Sequence, residues 1–135
     1  MNCQKEALKI VHGYDFINPE QVTIGPGEIA YVKTGVKADM YENEVLILAN
    51  RSSNPVKKGL VLINGIGVID ADYYNNADNE GEIAFAFMNT KLSPITIEVG
   101  EKLGQGIFIE YFTTEDDNAE GERIGRMGVY RCLKK

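Results

Sequence analysis

Short β-forming segments, each cut off by turn residues, constrain this chain more than any other feature. Residues 28–34, 44–49, 60–63, 83–88, 95–99 and 103–112 are rich in Val, Ile, Tyr and Phe, side chains that suit a pleated, half-buried surface. Glycine, proline or Asn/Asp clusters separate them, and Gly25-Pro26-Gly27 is a strong turn signal. No segment sustains the 3.6-residue apolar period of an amphipathic helix, so long helices are not expected. Many short strands with regular breaks predict an all-β sandwich or jelly-roll-like barrel. With 135 residues and no internal repeat or interdomain linker, one domain is expected.

A hydrophobic fraction of 44% is enough for a packed core. No stretch approaches the roughly 20 apolar residues of a membrane helix, and the first residues lack the basic-then-apolar order of a secretory signal. A soluble cytoplasmic protein without membrane contact is expected. Cys3 and Cys132 have no metal-ligand spacing and are expected to be free thiols, with a terminal disulfide as the alternative. The net charge of −6, from 14 basic and 20 acidic residues, argues against sequence-independent nucleic-acid binding. It leaves a nucleotide ligand open, because a phosphate site can rest on backbone amides and a divalent cation.

Two polar stretches interrupt the β pattern. Residues 74–81 read as an extended loop, and 113–122 as an exposed acidic connector to a basic tail, 123–135. The β domain is thus expected over residues 1–112, with connector and arm over 113–135. Such a tail can fray or reach a neighbouring subunit.

Four segments carry residue types suited to chemistry. Asp15, in Gly13-Tyr14-Asp15-Phe16, is either a turn or strand-end residue or a carboxylate that orients water around Mg²⁺. Arg51-Ser52-Ser53 follows an apolar strand. It is either a helix N-cap or Ser turn, or a phosphate clamp of guanidinium fork, hydroxyls and helix-start amides. In Asn64-Gly65-Ile66-Gly67-Val68-Ile69-Asp70-Ala71-Asp72-Tyr73 two glycines interrupt a β-branched run. That order is either an ordinary glycine-rich hairpin or one that bares amides at its tip beside a carboxylate able to act as general base. Gly104-Gln105-Gly106 suggests a bulge or a close ligand contact, with Gln105 a possible phosphate donor. His12 is the only histidine, which removes most zinc hydrolase and zinc deaminase mechanisms.

In this order the segments resemble the motifs of the trimeric dUTP diphosphatases (dUTPases). Gly13 to Phe16 resembles the first motif. Asn50-Arg51-Ser52-Ser53 resembles the second, although the family more often has proline where Asn50 stands. Asn64 to Tyr73 matches the third, and Gly100-Glu101-Lys102-Leu103-Gly104-Gln105 the fourth. The pattern over residues 72–83 is similar to dUTPases of Gram-positive bacteria and their phages. The resemblance implies a distorted jelly-roll-like β-barrel that assembles as a homotrimer with active sites at subunit junctions. It implies hydrolysis of dUTP to dUMP and pyrophosphate with Mg²⁺. By the same carry-over Asp70 is the base that activates a water for attack on the α-phosphorus. Asn64 and the backbone of Gly67, Val68 and Ile69 read uracil, and the Tyr73 ring packs on the deoxyribose. Arg51, Ser52, Ser53 and Gln105 hold the phosphates, and Asp15 acts on the metal through water.

The fifth motif, an arginine followed by a glycine-rich arm, departs from the pattern. Arg123, Gly125 and Gly128 fit it and keep Arg123 as a substrate-binding candidate. The family's aromatic, serine and threonine become Met127, Val129 and Tyr130. Arg126 and Arg131 can replace lost phosphate donors with charge, and the bland alternative is a terminal strand packed on the trimer. The altered arm also motivates a second expectation, a weakly active nucleotide-binding relative acting through a protein partner. A dCTP deaminase with Glu82 as its acid/base, and a ligand-free β-module, are the remaining alternatives.

Overall fold

The computed structural model describes residues 2–3 and 13–113. The expectations for His12, Cys132, Arg123 and the connector and arm from residue 114 onward lie outside the described residues. The architecture is the expected all-β, jelly-roll-like one. Strands β2 (Tyr14–Ile17), β11 (Lys102–Glu110), β6 (Glu44–Asn50) and β8 (Ile66–Asp70) form one antiparallel sheet in that order. Strands β4 (Ile29–Lys33), β9 (Ala84–Asn89) and β7 (Leu60–Leu62) form a second. Two small pairs complete it: β3 (Val22–Ile24) with β10 (Ile95–Ile97), antiparallel, and β1 (Asn2–Cys3) with β5 (Val36–Lys37), parallel. Helical structure among the described residues is confined to a wide turn at Asn54–Lys58 and a 3₁₀ turn at Ala71–Tyr73.

Strand alternation places the core between the two main sheets. Phe16, Leu46, Leu48, Ile69 and Leu103 face inward from one, and Val32, Leu62, Phe85 and Phe87 from the other. The Phe85 ring meets Phe16 edge-on at 5.3 Å and stacks on Phe87 at 5.9 Å. Those rings explain two glycines of β11. A Cβ on Gly104 would lie 2.4 Å from the Phe85 ring, and one on Gly106 would lie 2.7 Å from Phe16. Both glycines therefore admit aromatic rings on the inner face. The bulge expected here is present between Lys102 and Gly104.

The expected hairpin at Asn64 is not a paired ladder. Leu62 O accepts from Gly65 N (3.0 Å), and Gly65 takes φ +72°, so the turn is tight. Its two strands then part: β7 pairs with β9 in one sheet and β8 with β6 in the other. The turn is a corner between layers, because the apolar faces of both strands have to reach the shared core. The 74–81 stretch is also more compact than an extended loop. Asn76, 8% exposed, donates to Tyr73 O (2.8 Å) and Asn79 Oδ1 (2.7 Å) and accepts from the amides of Asp78 and Asn79. Asparagine side chains here replace ladder hydrogen bonds.

Candidate active site

The register of the four-stranded sheet puts Asp15, Gln105, Ala49 and Ile66 side by side across β2, β11, β6 and β8. Directly opposed residues share a face, so Asp15 and Gln105 project together from the outer surface at one end of the sheet. Asp15 lies inside β2 rather than at a turn, and its Oδ2 pairs with Lys102 Nζ at 2.9 Å. Both side chains are about half exposed, so this pair is worth about 0–1 kcal/mol and yields readily to a ligand.

Arg51, Ser52 and Ser53 leave the end of β6 beside this row. Asn50, the last residue of β6, is opposite Gly104, next to Gln105 in β11. Ser53 stands at the head of the Asn54–Lys58 turn, but its side chain makes no capping hydrogen bond. The N-cap alternative is thus not met. The five-residue turn is also too short to supply the helix-start field expected for the clamp. What fixes the loop is a pair of asparagines. Arg51 N donates to Asn50 Oδ1 (2.9 Å), as does Asn54 Nδ2 (2.8 Å). Asn54 was not singled out by sequence, although an Asn-Pro pair directly after Arg-Ser-Ser was the available signal.

At the other end of the sheet, β8 is an edge strand among the described residues, with its outer backbone edge turned from β6. Gly67 and Ile69 face the core, while Ile66 and Val68 face outward. The close approach allowed by Gly67 is to a neighbouring side chain, since an added Cβ would meet Leu48 at 3.0 Å. Asp70 ends the strand, half-buried, opposite Val45. Asn64 is exposed in the corner turn.

Tyr73, expected to pack on a sugar, is also a core residue. It is 3% exposed and belongs to the core cluster. Its hydroxyl donates to Glu82 O (3.0 Å) and accepts from Asn79 Nδ2 (2.8 Å). The ring is drawn inward because the 3₁₀ turn after Asp70 folds it beneath the sheet, and the following loop closes over its hydroxyl. In this chain Tyr73 anchors the Asp70 turn. Glu82, the deaminase candidate, accepts from Gly35 N at 3.1 Å and so ties two loops together.

The structure therefore gathers Asp15, Arg51, Ser52, Ser53 and Gln105 at the end of the sheet where Ile66 and the Asn64 corner also lie, and leaves Asp70 at the far end of β8. Asp70 is four residues along β8 from the Asp15–Gln105 row and two strands from β11. At about 3.4 Å per residue and about 4.8 Å per strand, the Cα atoms of Asp70 and Gln105 are roughly 17 Å apart. That separation sets Asp70 apart from the Gln105 cluster within one chain. No cluster of three or more His, Cys, Asp or Glu able to hold a metal occurs among the described residues. A lone exposed carboxylate suits a hydrated Mg²⁺ carried by phosphates, held through its water, and does not suit a protein-built cage.

Residues 9–132 match the dUTPase family profile. The deoxyuridine 5'-triphosphate nucleotidohydrolase of Lactococcus lactis subsp. lactis is 46% identical over 95% of this chain and 87% of its own length. The corresponding protein of Desulfitobacterium hafniense is 34% identical over 71% of this chain and 60% of its own. The crystal structure of dUTPase from Streptococcus mutans aligns with a TM-score of 0.77 at 47% identity, covering 82% of this chain and 87% of that one.

Proposed function

The chain belongs to the dUTPase family, and on that premise we propose how its two separated half-sites carry out the reaction. The protein is an enzyme that hydrolyses dUTP, giving dUMP and pyrophosphate. The observation that carries the mechanism is the placing of Asp70 and of the Arg51–Gln105 cluster at opposite ends of one sheet. Each working site is assembled from the β8 edge of one subunit and the clamp end of another, within a homotrimer. The outer face of the four-stranded sheet supports that assembly. Ile47, Ile107, Val68 and Ile109 line it, with Val68 43% and Ile109 46% exposed. A contiguous apolar sheet face of this kind marks an interaction surface, and further copies of the chain cover it.

Uracil lies against β8, where Asn64 and the outward backbone groups of Gly67, Val68 and Ile69 meet its polar edge. Fixed backbone donors and acceptors reject a base with a different pattern, because a mismatch leaves buried groups unpaired. Exclusion of a methyl on the ring is assigned to this corner on the resemblance alone. Tyr73 holds the turn that aims Asp70. From the neighbouring subunit, Arg51 gives a planar fork of donors, Ser52 and Ser53 give hydroxyls, and Gln105 gives an amide to the phosphate oxygens. Asp15 would hold Mg²⁺ through its water, and the ion would supply neutralisation of phosphate charge. Asp70 takes a proton from the attacking water, the water oxygen bonds to the α-phosphorus, and pyrophosphate leaves in line. Positioning and charge neutralisation supply most of the acceleration of phosphoryl chemistry. Arg123 is assigned to the phosphates on the resemblance alone.

Pyrophosphate release from dUTP, dCTP and dTTP with Mg²⁺, with Asp70→Asn as control, tests this reading. Fast release selective for dUTP and lost in the variant is expected. Equal turnover of dCTP or dTTP, or a fully active Asp70→Asn, would overturn it. A regulatory relative has one comparison in its favour: the Staphylococcus bacteriophage 80alpha dUTPase, 25% identical with a TM-score of 0.69, is described as controlling transfer of virulence genes. Undiminished turnover at micromolar dUTP would remove the weakly active version of that reading.

A further inference from the structure

Asn50 and Asn54 form a buried knot behind the phosphate clamp. Asn54 is 1% exposed. Its Nδ2 donates to Asn50 Oδ1 (2.8 Å) and to Leu103 O (2.9 Å). Asn50 Nδ2 donates to Leu60 O (3.0 Å), while Asn50 Oδ1 also accepts from Arg51 N (2.9 Å). The amide orientations are forced. An oxygen is required where Arg51 N donates, so Asn54 has to present its nitrogen to Asn50 and to the Leu103 carbonyl. Asn54 Oδ1 accepts from no donor among the described residues, so donation alone holds this side chain.

Leu103 is the extra residue of the β11 bulge, between Lys102 and Gly104 in the pairing with β2, and is outside the β6 register. A bulge takes a residue out of the ladder, and Asn54 gives its carbonyl a partner. Gln105 follows two residues later. The knot thus links the backbone that carries Arg51, Ser52 and Ser53 to the strand that carries Gln105, through a hydrogen-bonded path with little freedom.

We infer that Asn50 and Asn54 are positioning residues for phosphate chemistry, setting Arg51–Ser53 against Gln105 without touching the substrate. This rests on the assignment of that cluster to the phosphates. At a position where the family more often has proline, two side-chain amides hold the loop here. Loss of the shared acceptor should therefore impair the phosphate half of the site and spare the uracil half.

The test compares Asn50→Ala with Asn50→Asp. The aspartate keeps an oxygen for Arg51 N and Asn54 Nδ2, and replaces the bond to Leu60 O by a second acceptor facing that carbonyl. The alanine loses all three. For wild type and both variants, trimer content and thermal stability are measured first. kcat and KM for dUTP and the affinity for deoxyuridine, which carries no phosphate, follow. A displacement of about 1 Å at a reacting group can cost on the order of 10²-fold. We expect Asn50→Ala to lower kcat/KM for dUTP at least about tenfold with deoxyuridine affinity kept within about twofold, and Asn50→Asp to recover most of the loss. Unchanged dUTP kinetics in Asn50→Ala, or parallel loss of dUTP turnover and deoxyuridine binding, would overturn the inference. Failure of the wild type to turn over dUTP would instead count against the functional reading.

Discussion

Asp70 and Gly104 show how differently single residues carry their meaning. Asp70→Asn keeps shape and removes the base, so kcat should fall about 10²–10⁴-fold while dUTP still binds; steady-state kinetics and a binding isotherm check both. Gly104→Ala should act on stability instead. The new Cβ would lie 2.4 Å from Phe85 and 2.7 Å from Ala49 O, and such overpacking costs about 1–3 kcal/mol, measurable by urea denaturation. The side-chain types proposed for the phosphates, Arg51, Ser52, Ser53 and Gln105, are legible in the sequence because their chemistry is written in the side chains. The reason for Gly104 is not, since it lies in a phenylalanine nineteen residues earlier. Tyr73 shows the same limit. Its aromatic ring suggests a sugar platform, while the partners of its hydroxyl, Asn79 and Glu82, are not marked in the sequence. Tyr73→Phe should cost about 1–3 kcal/mol by leaving Asn79 Nδ2 and the Glu82 carbonyl short of a partner, again read by denaturation.

Elements were legible where β-branched and aromatic runs were long and uninterrupted. Strands β6 and β11 follow the expected segments closely, because their burial on one face demands alternation. The four-residue β2 and two-residue β5 gave too little pattern to single out. Glycine split the signal of β8. The corner at Asn64–Gly65 had the composition of a hairpin turn, and local chemistry is the same in both cases. Which sheet each arm joins is decided by distant partners: β9 for β7 and β6 for β8. The compact 74–82 loop was hidden for a related reason. Its asparagines look like solvated polar residues until Asn76 and Asn79 are seen to hydrogen-bond the backbone around them. The clamp loop is built by the same device through Asn50 and Asn54.

At the scale of the molecule, the proposed mechanism divides its chemistry between the two ends of one sheet. Composition and charge bound the class of protein, but the need for several subunits entered the sequence reading through family resemblance alone. The proposal adds a physical reason: an apolar outer sheet face, and a proposed base and phosphate cluster roughly 17 Å apart on one sheet. Ile109→Glu should leave the monomer folded, since this side chain is 46% exposed in the single chain. It should abolish trimerisation and, with it, turnover; sedimentation and activity report the two together. The most direct test of the shared site mixes two inactive proteins, Asp70→Asn and Arg51→Gln, unfolded and refolded together at equal concentration. Random assembly joins an intact Asp70 edge to an intact Arg51 clamp at about one site in four, so about a quarter of wild-type activity should return. No recovery above the two parents, in trimers shown by native mass spectrometry to contain both chains, would contradict a site built between subunits.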